Sequence, residues 1–205
     1  MVFCTKIANL LPIVLGLYAA FCESLALMGP QRKDFSMSRI HSLFIVGAVS
    51  AFSTLSTAAV LEVCPVGCAF NDIQLAVNAS VPGDIVKVKA GHYHLAAPVD
   101  TLGKAITIIG EVDATGQPLT ILSGDTDNNG TADVQVLRCV SLETSTTVFA
   151  NLIIDRGWST HGGGMYNGNT SPVLRNCHFT NCIASLRGGG MLNSESSNPT
   201  LEIGR

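Results

Sequence analysis

The chain repeats itself at a fixed interval near its C-terminal end. Residues 161 to 176 read HGGGMYNGNTSPVLRN and residues 187 to 202 read RGGGMLNSESSNPTLE, so the glycine triplet that begins at Gly162 recurs 26 positions later. Self-similarity with such a period is typical of solenoid proteins, in which each unit buries its apolar side only against its neighbours. The repeat therefore predicts stacked units.

A weaker copy lies upstream and shows what each unit contains. The segment VFANLII at 148–154 matches VLRNCHF at 173–179 with an offset of 25 residues. Both are short apolar runs near Gly, Asn, Ser and Pro, which form turns, and neither has the length of a helix. A coil of roughly 25 residues with three short strands predicts an all-β fold, the parallel β-helix.

The alternation of residue types predicts which side chains face the interior. Asn151 and Asn176 are expected to stack at the same turn of successive coils, each amide bonding the next. The glycine triplets are expected where a turn needs a positive φ or where neighbouring coils approach too closely for a side chain. A period of two along the strand places Leu174, Cys177 and Phe179 inside and Arg175, His178 and Thr180 outside.

Two stretches resemble known β-helix proteins. FNDIQLAVNASVPGDIVKVKAGHYHLAAPVDTLGKAITIIGE resembles the opening coils of right-handed β-helix proteins of the pectate lyase-like group. The repeat GGGMYN...SPVLRNCHFTNCIA is similar to the units of polymorphic outer-membrane-type and other large surface β-helix proteins. The resemblance covers about residues 64–201 and implies a right-handed parallel β-helix. It does not imply one activity, because this fold carries lyases, hydrolases, esterases and adhesins.

The two ends of the predicted β-helix differ. A short segment with apolar residues at helical spacing is ended by Pro82 and Gly83, which predicts a helix that caps the first coil; its apolar positions are Phe70, Ile73, Ala76 and Val77. At the other end, Leu201 and Ile203 begin a coil that nothing in the sequence covers. We therefore expect the domain at 60–205 to be incomplete at its C-terminus and to self-associate there.

Segment 37–59 has the parts of a secretory signal in order. Met37 and the basic Arg39 precede the apolar run LFIVGAV, and small residues follow that suit cleavage after Ala58 or Ala59. The signal predicts an extracellular or cell-surface protein.

Two features of the N-terminal region leave other interpretations open. Segment 1–36 contains the parts of a secretory signal in the same order and is interpreted as an upstream extension or a first signal-like segment. A membrane anchor is the alternative to cleavage, because the 19 residues from Leu43 to Leu61 carry no charge and a membrane span needs ~20.

The net charge of the domain indicates which kinds of partner to expect. From Val60 onward there are eight Lys and Arg against thirteen Asp and Glu, a net charge of −5. Phosphate binding depends on clustered Lys and Arg, so nucleic acid is not expected as a partner.

Five cysteines lie in the region from Val60 onward, and Cys64 and Cys68 of CPVGC are close enough for a local disulfide in an exported chain.

No residue is assigned a catalytic role. His161 precedes three glycines, as in the oxyanion loop of esterases, but no Gly-x-Ser-x-Gly nucleophile motif exists, and Arg187 replaces His161 in the second copy. Asp155 and Arg156 are the one adjacent acid and base in the coils, and we interpret them as a solvated pair. The paired carboxylates that glycoside hydrolysis needs are also not evident.

The stretch DTDNNGTAD predicts a weak calcium site. Hard oxygen ligands stand at alternate positions around a glycine, and the bidentate Glu usual at position 12 is Val136. The candidate ligands are Asp125, Asp127, Asn129, the carbonyl of Thr131, and Asp133. An acidic surface loop without a metal is the equal alternative. Glycosylation sequons begin at Asn78, Asn129 and Asn169.

Taken together, the sequence predicts a secreted or surface-tethered β-helix protein with a structural role. Adhesion, or binding of a polysaccharide or another cell-surface ligand through a long strand face, is the first expectation. A pectate lyase-like enzyme that degrades polysaccharides, with its active coils outside this sequence, is the alternative.

Overall fold

The computed structural model describes residues 57–203. The interpretations of segment 1–36 and of the apolar run after Met37 lie outside the described residues, and so does most of the expected signal at 37–59.

The described residues are almost entirely β-structure, as predicted, with one short helix. The elements in chain order are β1 (Val60–Val63), α1 (Ile73–Ala79), β2 (Ile85–Val88), β3 (Gly91–His94), β4 (Val99–Asp100), β5 (Thr107–Ile109), β6 (Thr120–Ser123), β7 (Leu137–Cys139), β8 (Val148–Asp155), β9 (Trp158–His161), β10 (Met165–Gly168), β11 (Val173–Thr180), β12 (Ile183–Arg187), β13 (Met191–Ser194) and β14 (Thr200–Glu202).

The strands stack into a parallel β-solenoid of about six turns. One sheet has the order β1-β2-β5-β8-β11-β14, and β3 and β6 extend it through the second half of β8. A second sheet has the order β13-β10-β7-β4, and β9 pairs with β12. Each strand pairs with its counterpart one coil away, so the predicted parallel β-helix architecture is confirmed.

The coils differ in length along the solenoid. Successive register partners in the first sheet are 25, 22, 41, 25 and 27 residues apart, along the series Val60, Ile85, Thr107, Val148, Val173 and Thr200. The two longest loops of the 41-residue coil are at 110–119 and 124–136. The second of these loops contains the predicted calcium ligands.

A column of apolar side chains fills the interior. Residues in register along the first sheet are Leu61, Val86, Ile108, Phe149, Leu174 and Leu201. Val86, Ile108 and Phe149 are fully buried because a coil covers them on each side. Burial of such a side chain stabilises the fold by about 1.5–3 kcal/mol relative to leaving it exposed.

The predicted alternation along β11 is confirmed, with one correction to the strand boundaries. Leu174, Cys177 and Phe179 pack on the core, and Arg175, His178 and Thr180 are exposed. The residue pattern predicts separate short strands at Val173–Leu174 and Cys177–Phe179, but the structure has one strand that bends at Asn176, where φ is 50°. Asparagine tolerates this left-handed conformation better than other residues with a side chain.

The predicted asparagine stack is present at this bend. Asn151 lies at the equivalent bend of β8 with φ 56°. The Nδ2 of Asn176 donates to Oδ1 of Asn151 at 3.0 Å and to the carbonyl oxygen of Gly116 at 2.9 Å. The side chains therefore bond one coil to the next where the backbone turns and the sheet ladder is interrupted.

Both reasons predicted for the glycine triplets are found. Gly162 has φ 62°, in the region that favours glycine. Gly164 lies against the next coil, where an added Cβ would be 2.5 Å from the carbonyl oxygen of Gly190. The first glycine of the triplet therefore permits the turn, and the third permits close stacking of coils.

Helix α1 covers the first coil, as predicted. Ile73, Ala76 and Val77 are buried, and the helix packs against β1, β2 and β4. Asp72 caps its N-terminus by accepting a hydrogen bond from the amide of Leu75 at 2.9 Å. The apolar interior is thereby closed at this end of the described residues.

Candidate functional site

The acidic loop at 125–133 follows β6 at a corner of the longest coil. Carboxylate oxygens of Asp125, Asp127 and Asp133 lie within 4.8 Å of one another. The structure thus brings together the three acids that the sequence proposed as calcium ligands. The side chain of Val136 is fully buried in the core, so this position contributes no ligand atom.

The ligand candidates are held by hydrogen bonds within the loop. The carboxylate of Asp125 accepts from the amides of Asn129 at 3.0 Å and Gly130 at 2.8 Å. Oδ1 of Asn129 accepts from the amide of Thr131 at 2.7 Å. Oδ2 of Asp133 accepts from the amide and the hydroxyl of Thr126, each at 2.9 Å. The loop is therefore closed around its acids by its own backbone.

Asp125 is the buried member of this loop. Burial alone would raise the pKa of its carboxyl, but the amide hydrogen bonds from Gly130 and Asn129, with the nearby His94 and Arg156, hold the pKa below its ordinary value. The group therefore stays ionised near neutral pH, which is the state a cation needs.

A second polar cluster lies on the outward face of the sheet beside this loop. His94, Ser123, Asp155 and Thr180 stand in one register row across β3, β6, β8 and β11. Oδ1 of Asp155 accepts from the hydroxyl of Thr180 at 2.9 Å and from Nδ2 of Asn181 at 2.8 Å. The row is a continuous polar strip across four coils.

The interpretation of Asp155 and Arg156 as a solvated pair is wrong for the acid. The Asp155 side chain is buried and forms an ion pair with the partly exposed guanidinium of Arg156. Its carboxylate is enclosed by Arg156 and by Thr180 and Asn181 of the next coil. Contacts between coils are not evident from the residue pattern of one strand, so the burial was not predicted.

Two histidines at the edge of the polar strip were not singled out from the sequence. The ring centroids of His92 and His94 are 4.3 Å apart, with an angle of 34° between the planes. Nδ1 of His94 lies 2.6 Å from the carbonyl oxygen of Asp125 and therefore donates to it. The signal available was the pattern His-x-His within a short strand, which places both rings on one face.

An exposed apolar patch lies on the sheet formed by β9 and β12. Trp158 is 44% exposed and stands in register with Ile183, which is 57% exposed, and Leu186 is 69% exposed. His161 lies on the same sheet opposite Arg187. Exposed apolar side chains on one sheet are candidates for ligand contact.

The five cysteines among the described residues fall into two groups. Cys64 and Cys68 form a disulfide with Cα atoms 5.5 Å apart. Cys139, Cys177 and Cys182 are free and lie against the core. Burial raises the pKa of the Cys177 thiol to about 11, so it stays protonated at neutral pH.

The three sequon asparagines are exposed. Asn78 lies in α1 and accepts a hydrogen bond from Nε2 of Gln74 at 3.0 Å. Asn129 lies in the acidic loop, where its Nδ2 donates to Asp127 at 2.9 Å. Asn169 follows β10 with φ 56°. A glycan on Asn129 would replace a hydrogen atom of the amide that contacts Asp127.

Comparisons with known proteins do not assign the chain to a family. No protein-family model matches the chain, and no curated protein or solved structure matches it. Within residues 57–203 no helix is both long enough and apolar enough to cross a membrane.

Proposed function

We propose that the chain is a secreted or cell-surface β-helix protein with an adhesive or structural role, which binds carbohydrate through its outer face. The observation that carries this proposal is the exposed patch of Trp158, Ile183 and Leu186 on the sheet of β9 and β12. An indole ring offers a large rigid apolar surface with one polar group, which suits stacking against a sugar ring. The stacked coils hold this surface in a fixed position.

Export is supported by the start of the described domain. The amide of Ala59 donates to Oδ1 of Asp84 at 2.8 Å, and its carbonyl accepts from the amide of Ile85 at 2.8 Å. Cleavage after Ala58 would keep both groups and turn the amide into an ammonium beside a carboxylate. The Cys64–Cys68 disulfide also suits an oxidising compartment.

The finer family assignment is part of the same proposal. The GGGMYN repeats that resemble large surface β-helix proteins support the adhesive role. The alternative is a pectate lyase-like enzyme, for which the Asp155–Arg156 pair is the nearest acid and base. We favour the adhesive role because the guanidinium of Arg156 is committed to the buried carboxylate of Asp155 and is therefore a poor proton acceptor.

Binding to immobilised polysaccharides tests the proposal. Trp158→Ala should weaken retention at least tenfold, and Leu102→Ala, which shortens another exposed apolar side chain, should not change it. The melting temperature of both variants should stay near that of the parent. Equal retention of Trp158→Ala would remove the patch as the binding surface, and calcium-dependent cleavage of polygalacturonate would favour the lyase.

We also propose that the last described coil mediates self-association. Leu201 is 63% exposed, and Ile203 is almost fully exposed beside it. Strand β14 pairs with β11 on one side, and its other side has no partner strand among residues 57–203. Leu201→Lys should reduce the concentration-dependent increase in mass seen by light scattering, because edge charges oppose strand pairing. An unchanged mass distribution would contradict this part.

The loop at 125–133 is proposed as a weak calcium site. Its support is the convergence of three carboxylates, of which Asp125 is ionised and preorganised by amides. Without a carboxylate at Val136, we expect a dissociation constant of about 10⁻⁴ to 10⁻³ M.

A further inference from the structure

We propose that His92 and His94 form a second, separate metal site, which binds a borderline transition cation such as Zn²⁺, Ni²⁺ or Cu²⁺ through two imidazole nitrogens. This inference does not depend on the proposed carbohydrate binding or on the calcium loop.

The backbone holds the two histidines on one outward face. Tyr93 between them is buried in the core, and its hydroxyl donates to the carbonyl oxygen of Lys89 at 3.0 Å. Strand β3 is fixed by parallel pairing with β6, which sets His92 beside Ile121 and His94 beside Ser123. The anchored tyrosine therefore forces both neighbouring rings outward at a spacing of two residues.

The ring of His94 is already oriented as metal-binding histidines are. Its Nδ1 donates to the backbone carbonyl of Asp125 at 2.6 Å, so in the neutral ring the lone pair is on Nε2. Histidine ligands almost always have their other nitrogen held in this way, by a carbonyl or a carboxylate, because the contact fixes the tautomer and the ring plane. No residue has to move to prepare this ligand.

His92 supplies the second nitrogen from an exposed position. Its ring centroid is 4.3 Å from that of His94, and rotation about the Cβ–Cγ bond is inexpensive for an imidazole. Only the His92 ring therefore has to turn to bring a second nitrogen to an ion held by His94.

The surrounding charge favours a cation. Asp125 is bonded to His94 through its carbonyl oxygen, and Asp155 lies two strands from His94 in the same row, where it is paired with Arg156. Two negative charges against one positive charge attract a divalent ion. Imidazole nitrogens select zinc, copper and nickel over calcium and magnesium, which prefer oxygen. The site and the acidic loop should therefore bind different ions.

Titration calorimetry of the whole untagged chain with Zn²⁺ at pH 7.5 tests the proposal. His41, which lies outside the described residues, is replaced by Gln in every protein compared. His92→Gln and His94→Gln should each weaken binding at least tenfold. The matched control is His178→Gln, because His178 is exposed in the same outward row as His92, across Ile121 and Ile153.

Two further measurements separate ligation from folding. Electron paramagnetic resonance of bound Cu²⁺ should show two nitrogen ligands in the parent and one in His92→Gln, a variant of an exposed residue. Binding should be lost at pH 5, where imidazoles are protonated. A parent that does not bind Zn²⁺, an unchanged affinity in His92→Gln, or an equal loss in His178→Gln would each overturn the proposal.

Discussion

The first and last described coils contain the same kind of apolar residue in very different surroundings. At the first coil, Ile73 of helix α1 is 2% exposed, because the helix covers the interior. At the last coil, Leu201 continues the same interior column but is 63% exposed. The comparison shows that a side chain in a solenoid is buried by the next unit and not by its own, so equal residues contribute unequally along the chain.

The glycine triplets show the same dependence on whether a further coil is stacked on them. Gly164 and Gly190 occupy the same position on successive coils. An added Cβ at Gly164 would lie 2.5 Å from a carbonyl oxygen, whereas at Gly190 the nearest atom would be 3.6 Å away. At the third position of the triplet, the requirement for glycine is therefore strict only where a further coil is stacked.

The largest expected effect comes from truncating the cap. Ile73→Ala should lower the free energy of unfolding by about 2–5 kcal/mol, because it leaves a cavity between α1 and the first coil. Leu201→Ala, the matched change at the open end, should alter it by less than about 0.5 kcal/mol. Urea denaturation followed by circular dichroism measures both. Similar losses in the two variants would mean that another part of the chain covers Leu201.

The next effect comes from adding one methyl group at equivalent glycines. Gly164→Ala should destabilise by about 1–3 kcal/mol or prevent folding, because backbone atoms of the next coil must shift. Gly190→Ala should be tolerated, since its neighbours lie at ordinary contact distance. Soluble yield and the melting temperature compare them. Equal tolerance would show that the coils can separate at Gly164 without loss.

A smaller effect is expected on the pH dependence of stability, which should differ between the first and last described coils. The amides of Val81 and Ala59 hold the pKa of the Asp84 carboxyl below its ordinary value. Its stabilising contribution is therefore present above the unfolded pKa of about 3.9 and is lost as the pH falls through the lower folded value. Melting temperatures from pH 6 to 2 should fall less steeply in Asp84→Asn than in the parent.

The control for this prediction is Glu202→Gln at the other end. Glu202 forms an exposed ion pair with Arg175 at 2.8 Å, a contact worth about 0–1 kcal/mol. The variant should retain the acid dependence of the parent. If Asp84→Asn also retains it, the carboxylate contacts of Asp84 do not contribute to stability.

The smallest expected effect is that of calcium on the loop at 125–133. At concentrations near or a few times the dissociation constant, binding stabilises the folded state by about 0.4 to 1 kcal/mol. Millimolar calcium should therefore raise the melting temperature slightly, and Asp127→Ala should abolish this rise with little change in the apo protein. A melting temperature that does not change when calcium is added would favour the metal-free acidic loop.

The repeat was enough to predict the fold because the same spacing of residue types recurs from coil to coil. The period, the inward positions along β11, the asparagine stack and the capping helix all follow from residue types at fixed spacing. The turn at Asn176 was predicted, but the continuation of strand β11 through it was not, because the polar Arg175 and Asn176 separate the two apolar runs. The burial of Asp155 was missed because it arises from contacts with Thr180 and Asn181 of the next coil, which the residue pattern along one strand does not show.

The histidine pair was missed for a different reason. Strand β3 lies in the first half of the solenoid, outside the clear repeat, so the outward face of His92 and His94 could not be inferred from a copy. Its link to Asp125 crosses the longest coil, where the two loops break the period. The predicted acids of the calcium loop, by contrast, lie within nine consecutive residues, and local spacing alone brought them together.

The uniform register of the strands has a consequence for how quickly the chain acquires its structure. Along the first sheet, four of the five successive register partners are 22 to 27 residues apart. The entropy of closing each loop is then nearly constant, and a formed pair of coils offers an edge on which the next can assemble. Folding should propagate from such a nucleus, and the 41-residue coil between β5 and β8 is the step at which propagation should slow.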